Sequence, residues 1–209
     1  MKTFKTMLCC LAILLLNRNI LAQQSHFQLK GLPCEGCEAV FEYGKKKLTS
    51  IDTLPDFNRP GPKLVLKGKV FKRDGRTPAA GVILYIYHTN QDGKYTPMGN
   101  AKGWGRRHGE IRGWVKTDNN GSYTFYTLKP GTYPSRSEPA HIHATVLEPN
   151  GKYYYLEEWY FADDPLLYKL KSQKRSMHGG EGIVTPVKVG THFLGTRDIV
   201  LGLNIKDYD

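Results

Sequence analysis

The stretch that decides the fold is Thr117-Asp-Asn-Asn-Gly121-Ser-Tyr123-Thr-Phe125, which continues through Leu128-Lys-Pro-Gly131-Thr-Tyr133. Its Asn-Gly pair supplies the positive φ angle that a tight hairpin turn requires. After this turn Tyr123 and Phe125 alternate with polar residues, so both should point to the same side of a strand and fill a core. The stretch therefore predicts a hairpin with one buried face. By itself it says nothing about catalysis.

Short β-type segments separated by turn residues follow one another from position 62 onward, with no long amphipathic helix between them. This spacing predicts an all-β fold. The turn pattern is general among prealbumin-like antiparallel β-sandwiches, many of which only bind a ligand or support another structure. We predict long loops, including a covering loop over 162–182. The predicted strands are Leu64–Lys72, Gly81–His88, Gly113–Thr117, Ser122–Thr127, Ala140–Glu148, Lys152–Phe161 and Thr196–Leu203.

Residues 1–22 have the pattern of a secretory signal peptide, since two lysines precede an apolar run over Met7–Leu16 and Ala22 is a suitable cleavage position. This run is too short to span a bilayer, which needs about 20 apolar residues. We therefore predict an exported protein (periplasmic, cell-surface or extracellular) without a membrane span. After the leader we expect an irregular N-terminal extension over 23–60, with one short helix, and a single β-sandwich domain over 61–209.

The chain is basic, with 30 Lys and Arg against 19 Asp and Glu and a formal net charge of +11. The leader contains three basic residues and no acidic ones, so +8 remains after its removal. A basic surface can attract anions, including nucleic acid. Because the basic residues do not alternate with stacking aromatic side chains, we predict solvated surface lysines and no nucleic-acid partner.

Cys34 and Cys37 are the cysteines that remain after the leader. In an exported protein, Cys-x-x-Cys favours a local disulfide first and a redox pair second. A zinc site would need two further ligands nearby, and none is evident. No βαβ pattern surrounds the pair, which disfavours a thioredoxin-like role.

The most informative chemical pattern is His141-Ile-His143. Successive strand side chains alternate between faces, so both imidazoles point the same way and Ile142 points the opposite way. Two histidines on one face make half of a metal site. Tyr133, eight residues upstream between a Pro-Gly turn and Pro134, is a candidate further ligand. The remaining histidines show no comparable pairing and are interpreted as surface or core residues: His88, His108, His178 and His192.

The run from Arg112 to His143 contains the turn motif, Tyr133 and the His-Ile-His strand, and it resembles the intradiol ring-cleavage dioxygenases. These include the protocatechuate and catechol dioxygenases. The segment Ile83–Tyr95 is similar to that family's strand and glycine turn that end in its first iron-binding tyrosine. Glu158–Asp164 is similar to the strand after its histidines. The resemblance covers roughly residues 62–205.

This resemblance implies that Tyr95, Tyr133, His141 and His143 ligate one iron(III) per chain, without an organic cofactor. Hard ferric iron suits phenolate oxygens, and the metal must drive their ionisation because free tyrosine has a pKa near 10. The resemblance also implies an aromatic diol and O2 as substrates, Tyr133 as the ligand that leaves and acts as a base, and a muconate-type diacid as product. Since the family often assembles into dimers or larger oligomers, a homo-oligomer is possible.

The chain departs from the family's pattern at the expected substrate contacts. Glu138 stands three residues before the first histidine, where the family has an arginine, and Arg136 is our candidate for the missing guanidinium. Glu158 replaces a glutamine of the family. A carboxylate at this position would disfavour anionic ring substituents.

Two other hypotheses remain open from the sequence. In one, the chain is a secreted β-sandwich binding module in which the His-Ile-His strand is structural and ligand binding needs no metal. In the other, the two histidines serve a zinc-dependent hydrolase. The second is weaker because tyrosines are poor zinc ligands and no Glu or Asp lies at a usual metal-ligand spacing.

Overall fold

A computed structural model describes residues 27–172 and 174–209 of the chain. The predicted signal peptide lies outside these residues. No helix in the described part of the chain is long and apolar enough to cross a membrane. Its strands are β1 (Gln28–Leu29), β2 (Ile51–Thr53), β3 (Lys63–Phe71), β4 (Ile83–His88), β5 (Arg112–Lys116), β6 (Ser122–Leu128), β7 (His141–Leu147), β8 (Lys152–Tyr155), β9 (Trp159–Phe161), β10 (Ile183–Val184), β11 (Val187–Val189), β12 (His192–Thr196) and β13 (Ile199–Val200). Its helical segments are α1 (Gly105–His108) and the 3-10 turns Cys37–Phe41 and Leu167–Ser172.

The strands form two sheets that enclose a common core. The first has the order β1-β8-β7-β4-β5, with β9 paired to β7 and β10 to β9; the second has the order β11-β12-β3-β6-β2, with β13 paired to β3. The central pairs β4–β5, β4–β7, β7–β8 and β3–β6 are antiparallel. Parallel pairing occurs where β1, β2, β10, β12 and β13 join. The predicted all-β sandwich is therefore confirmed, with mixed rather than purely antiparallel sheets.

The turn at Asp118–Gly121 is not the hairpin that the sequence predicts. It leaves β5 in the first sheet and enters β6 in the second, so it crosses between the sheets. Its local chemistry is as expected, because Gly121 donates its N–H to the Asp118 carbonyl at 2.9 Å and the Asp118 carboxylate accepts from the Ser122 amide at 2.9 Å. Strand β6 then pairs with β3, where Ser122 lies opposite Lys69.

Two predicted strands are each interrupted. The run Lys152–Phe161 splits into β8 and β9 because Glu157 donates its N–H to the His178 carbonyl at 3.0 Å instead of continuing the ladder with β7. The run Thr196–Leu203 splits at Arg197, whose buried guanidinium donates to the Glu157 carbonyl at 2.6 Å. The extension predicted as irregular also contributes β1 and β2 to the sheets, besides its short helical turn.

The core between the sheets contains the two aromatic residues that the sequence assigns to it. Tyr123 and Phe125 are both buried, and β6 alternates buried and partly exposed side chains over most of its length. Tyr123 stacks on Trp159 of the other sheet and donates from its hydroxyl to the Arg197 carbonyl at 2.6 Å. Phenol and indole rings therefore join the two layers.

The outer face of the first sheet is covered by the N-terminal extension. Tyr85 of β4 and Trp114 of β5 lie on this face in a second apolar cluster with Ala39 and Val40. The Trp114 indole N–H donates to the Ala39 carbonyl at 3.1 Å. This contact holds the segment that precedes position 41 against the sheet that carries the two histidines of β7.

Candidate metal centre

Four polar side-chain atoms form a closed ring beside β7. Tyr95 Oη lies 3.0 Å from Tyr133 Oη, which lies 3.2 Å from His141 Nε2. His141 Nε2 is 3.1 Å from His143 Nε2, and His143 Nε2 is 3.0 Å from Tyr95 Oη. The structure thus brings together all four residues that were predicted as metal ligands, although the two tyrosines are far apart in the chain.

Strand β7 fixes the two histidines. Ile142 is fully buried in the core, so His141 and His143 project from the opposite face, as strand alternation predicts. His141 Nδ1 donates to the Pro139 carbonyl at 2.8 Å, since a carbonyl can only accept. In the neutral imidazole this hydrogen bond leaves a lone pair on His141 Nε2, directed towards the other three atoms of the ring.

Two glycines let the tyrosine-bearing loops lie against each other. A Cβ on Gly93 would meet the Thr132 carbonyl oxygen at 1.8 Å, and a Cβ on Gly131 would meet the Gln91 carbonyl oxygen at 2.3 Å. Gly93 also has φ 72°, in the left-handed region that favours glycine. The Gly131 N–H donates to the Asn90 carbonyl at 3.1 Å and joins the loops directly. The glycines of the Asp-Gly and Pro-Gly pairs that precede the two tyrosines are therefore requirements of this close approach.

The protein environment keeps three of the four donors uncharged. Burial raises the pKa of Tyr95 and the pKa of Tyr133 above their ordinary value, and it lowers the pKa of His143 well below its ordinary value. Both phenols are therefore protonated at neutral pH in the protein alone, and His143 is neutral. A strong local positive charge is needed to ionise the phenols.

Hydrogen bonds alone cannot satisfy the ring. The ring has four contacts, and each needs one proton. A neutral His141 that donates from Nδ1 has no proton on Nε2, so only the two phenols and His143 can supply one. Donor atoms about 2.0–2.1 Å from a common ion, at angles of about 90–109°, lie roughly 2.8–3.4 Å from each other. The observed separations of 3.0–3.2 Å match this range. Since two phenol oxygens favour a hard, oxidised metal, the residues present fit iron(III).

The donor set does not favour zinc. Within residues 27–172 and 174–209, no group of three or more His, Cys, Asp or Glu side chains is arranged to hold a metal ion. Half of the candidate donors are tyrosines, whereas zinc is bound mainly by Cys, His and carboxylates. This geometry weakens the zinc-hydrolase hypothesis.

Comparison with known proteins identifies the family of this chain. Residues 41–177 match the family model described as Dioxygenase. The chain is 30% identical over 112 residues to catechol 1,2-dioxygenase 2 of Acinetobacter lwoffii, and 30% identical over 124 residues to the protocatechuate 3,4-dioxygenase β chain of Burkholderia cepacia. The chain belongs to the intradiol dioxygenase family.

Solved structures of dioxygenases share the fold of this family member. The dioxygenase domain of a carbohydrate-binding fusion protein from Streptomyces sp. SirexAA-E superposes with a TM-score of 0.58 at 26% identity, over 77% of this chain and 94% of that chain. An intradiol ring-cleavage dioxygenase from Tetranychus urticae superposes with a TM-score of 0.54 at 18% identity, over 78% of this chain and 90% of that one. The two curated relatives are matched over 46% and 51% of this chain but only 39% and 48% of their own lengths, so this chain spans less than half of each.

Of the charged residues predicted near the substrate in this family member, two glutamates lie beside the candidate histidines and the arginine does not. Glu158 Oε1 lies 3.8 Å from His143 Nδ1, and Glu138 Oε2 lies 4.0 Å from His141 Nε2. Arg136 is exposed on the loop after Tyr133, with φ 50°, and it donates its backbone N–H to the Tyr133 carbonyl at 2.8 Å. Its predicted role in substrate binding stays a prediction.

One aromatic column beside the site was missed from the sequence. Tyr87 lies opposite His143 in the sheet and stacks on its ring with centroids 4.6 Å apart. On its other side, Tyr87 stacks on His108 at 3.7 Å, and His108 Nδ1 lies 2.8 Å from Tyr85 Oη. His108 is buried, as one of the two interpretations offered for it required. The sequence signal for the column is the alternation of Tyr85 and Tyr87 along β4.

A cavity of about 260 Å³ opens beside His143. Its lining includes Tyr87, His143 and Glu158 from the first sheet and its flanks. It also includes the segment Pro33–Cys37, which a Cys34–Cys37 disulfide closes. The favoured interpretation of the cysteine pair as a local disulfide is confirmed, and its position next to a candidate metal ligand was not foreseen.

Proposed function

We propose that this member of the intradiol dioxygenase family is an exported iron(III) enzyme that uses O2 to cleave a catechol-type ring between its two hydroxylated carbons. The observation that carries the proposal is the ring of four donor atoms, two phenolic and two imidazole, with neighbours 3.0–3.2 Å apart. The matches to catechol and protocatechuate dioxygenases support an aromatic diol as substrate. The product would be a muconate-type diacid that contains both atoms of O2.

When bound, ferric iron would draw charge from a chelating catecholate and so make a ring carbon reactive towards O2. The role of the protein itself is to hold the donor atoms in place and to move protons. His141 is buried and hydrogen-bonded to the Pro139 carbonyl, so it would be a fixed ligand. Tyr133 lies on a loop and is partly exposed, which suits a ligand that leaves when substrate binds. Because burial raises the pKa of Tyr133, its released phenolate would be a strong base and would take a proton from a catechol hydroxyl at Oη.

Export is supported by the leader pattern and by the Cys34–Cys37 disulfide, because such bonds persist mainly outside reducing compartments. The mature protein would then meet its aromatic substrate outside the cytosol. A homo-oligomer remains a prediction for this chain.

The first experiment is a ferric iron titration of the iron-free mature chain. One equivalent should bind and give the red-brown absorption of phenolate-to-iron charge transfer. Tyr95→Phe removes one anionic donor and should abolish or strongly weaken this band. Tyr168→Phe is the matched control, because Tyr168 is 60% exposed and lies outside the ring of donors. A wild-type chain that stays colourless and takes up no iron would refute the proposal.

The second experiment adds catechols to the ferric protein without oxygen, then admits O2 and measures product masses. A gain of one O2 per ring, with both atoms from labelled gas, is expected. The binding-module hypothesis makes the opposite prediction: ligand binding without metal, left intact by Tyr95→Phe.

A further inference from the structure

The cavity beside His143 has walls of two origins. One wall comes from the first sheet and its flanks, with His143 and Glu158. The opposite wall is the disulfide-closed segment Pro33–Cys37, which precedes the start of the family match at residue 41. His143 is the accessible histidine of the candidate centre, since its side chain is 25% exposed against 4% for His141. A substrate that approaches past His143 would therefore contact a wall contributed by the N-terminal extension.

The Pro33–Cys37 wall is held against the aromatic column. A Cβ on Gly36 would lie 2.5 Å from His108 Nε2, and Gly36 has φ 90°, so the backbone at this position touches the imidazole. Cys34 and Cys37 are joined on either side of this glycine. Glu35, at the rim, forms an ion pair with Arg107 of α1. Backbone contact, disulfide and ion pair together fix the wall on the same column that stacks on His143.

The charge balance of the cavity is negative, although the chain as a whole is basic. Its lining contains two carboxylates, Glu35 and Glu158, and no Lys or Arg. Arg107 compensates Glu35 at the rim. Among the side chains that the structure describes, Glu158 has no Lys or Arg within 4.0 Å, because the adjacent Glu157 takes the Arg175 guanidinium at 2.7 Å.

In the described part of the chain no cationic side chain pairs with Glu158. Its contacts with other side chains are long, at 3.8 Å to His143 Nδ1 and 3.5 Å to the Tyr160 hydroxyl. Burial raises the pKa of this carboxyl above its ordinary value, as expected for a carboxylate without a cationic partner. Its side chain remains 31% exposed. Within the described residues, one carboxylate without a Lys or Arg partner therefore stands in the cavity next to a candidate iron ligand.

We propose that Glu158 and the Pro33–Cys37 wall make this a catechol site selective for ring substituents that are positively charged or neutral, with carboxylated catechols disfavoured. The proposal rests on the proposed function and names its substrate class. A carboxylate on the ring would be repelled by Glu158 and meets no free cationic side chain in the lining, whereas an ammonium group would be attracted. For unit charges about 6 Å apart, the effect is about threefold in water and about a hundredfold at an effective dielectric constant of about 20, so we expect about tenfold in each direction.

The test is anaerobic binding of three catechols to the ferric mature protein, followed through the change in its visible absorption. The probes are 3,4-dihydroxyphenethylamine, 4-ethylcatechol and 3,4-dihydroxybenzoate, which carry a positive, neutral and negative substituent. The wild-type chain should bind them in that order of decreasing affinity. Glu158→Gln should weaken binding of the amine about tenfold, tighten binding of the benzoate about tenfold and leave 4-ethylcatechol within about twofold.

Glu38→Gln is the matched control, since Glu38 is exposed on the neighbouring helical turn and does not line the cavity. It removes the same charge and should leave the order and the dissociation constants unchanged. A role of Glu158 in orienting His143 would instead shift all three catechols, and the ferric band, together. That result, or a wild-type chain that binds the benzoate as tightly as the amine, would overturn the proposal.

The wild-type order alone decides the matter if Glu158→Gln does not fold. The failure of the proposed function gives a different result, namely no ferric band and no spectral response to any of the three catechols. In that case the selectivity proposal falls with it. A ferric band that responds to all three catechols without regard to charge refutes only the selectivity.

Discussion

Gly93→Ala tests whether the close approach of the two tyrosine loops builds the metal centre. The new Cβ would lie 1.8 Å from the Thr132 carbonyl oxygen, where non-bonded contacts need at least about 3.0 Å, so the loops must separate by about 1.2 Å. Metal–ligand distances tolerate only about 0.2 Å of deviation. The Tyr95 and Tyr133 hydroxyls, now 3.0 Å apart, would no longer converge on one ion. We expect ferric iron affinity to fall at least 10–100-fold, which is typical when a group that positions a metal ligand is lost.

The assay is a ferric iron titration followed by visible absorption, with denaturant unfolding of the iron-free protein alongside. Gly75→Ala is the matched control, because Gly75 also follows an aspartate and has φ 68°, yet its Cβ would meet nothing closer than 3.9 Å. Gly75→Ala should lose about 1–2 kcal/mol from placing alanine in the left-handed region, and Gly93→Ala should lose more because of its clash with Thr132. Only Gly93→Ala should lose iron. If it binds iron as tightly as Gly75→Ala does, the glycine contact does not position the donors.

Three further outcomes follow from the wall and the column. Gly36→Ala should raise catechol dissociation constants, because its Cβ would lie 2.5 Å from His108 Nε2, while the ferric band of the substrate-free protein stays unchanged; a lost band would contradict this. Reduction of the Cys34–Cys37 disulfide should lower the free energy of unfolding by about 2 kcal/mol, as expected for so short a loop, in denaturant titrations with and without reductant. Burial lowers the pKa of His108 to about 4. As the pH falls, His108 therefore binds a proton near pH 6.5 in the unfolded chain but only near pH 4 in the folded chain. Stability should therefore fall as the pH drops through that window, and a chain with His108→Gln should show a shallower fall.

The sequence predicted which faces of the strands are buried better than it predicted which strands pair. Tyr123, Phe125 and Ile142 are buried as their alternation requires, because side-chain period is a local property of an extended chain. The turn at Asp118–Gly121 makes the expected local hydrogen bonds, yet those bonds are the same whether the next strand returns to the same sheet or crosses to the other. Pairing is decided by contacts between distant segments, which a local pattern does not contain.

The candidate ligands were predicted from two kinds of information, strand alternation for the histidines and family resemblance for the tyrosines. Strand alternation was sufficient for the pair His141 and His143, since it concerns three consecutive residues. With 13 tyrosines in the chain, only the family resemblance singled out Tyr95 and Tyr133. The glycine turns were visible in the sequence. That they bring the two loops within van der Waals contact of each other is a three-dimensional fact.

The Pro33–Cys37 wall shows why selectivity was harder to predict than the candidate chemistry. All four donors lie within the segment that matches the family, whereas this wall lies before it. Its contact with the site runs through His108, which sequence reasoning had no basis to pair with Gly36. A segment outside the family match can therefore change the charge and shape of the cavity without displacing any donor atom. Relatives that share the four donors but have a different segment here should differ in the catechols they accept while keeping the same ferric absorption.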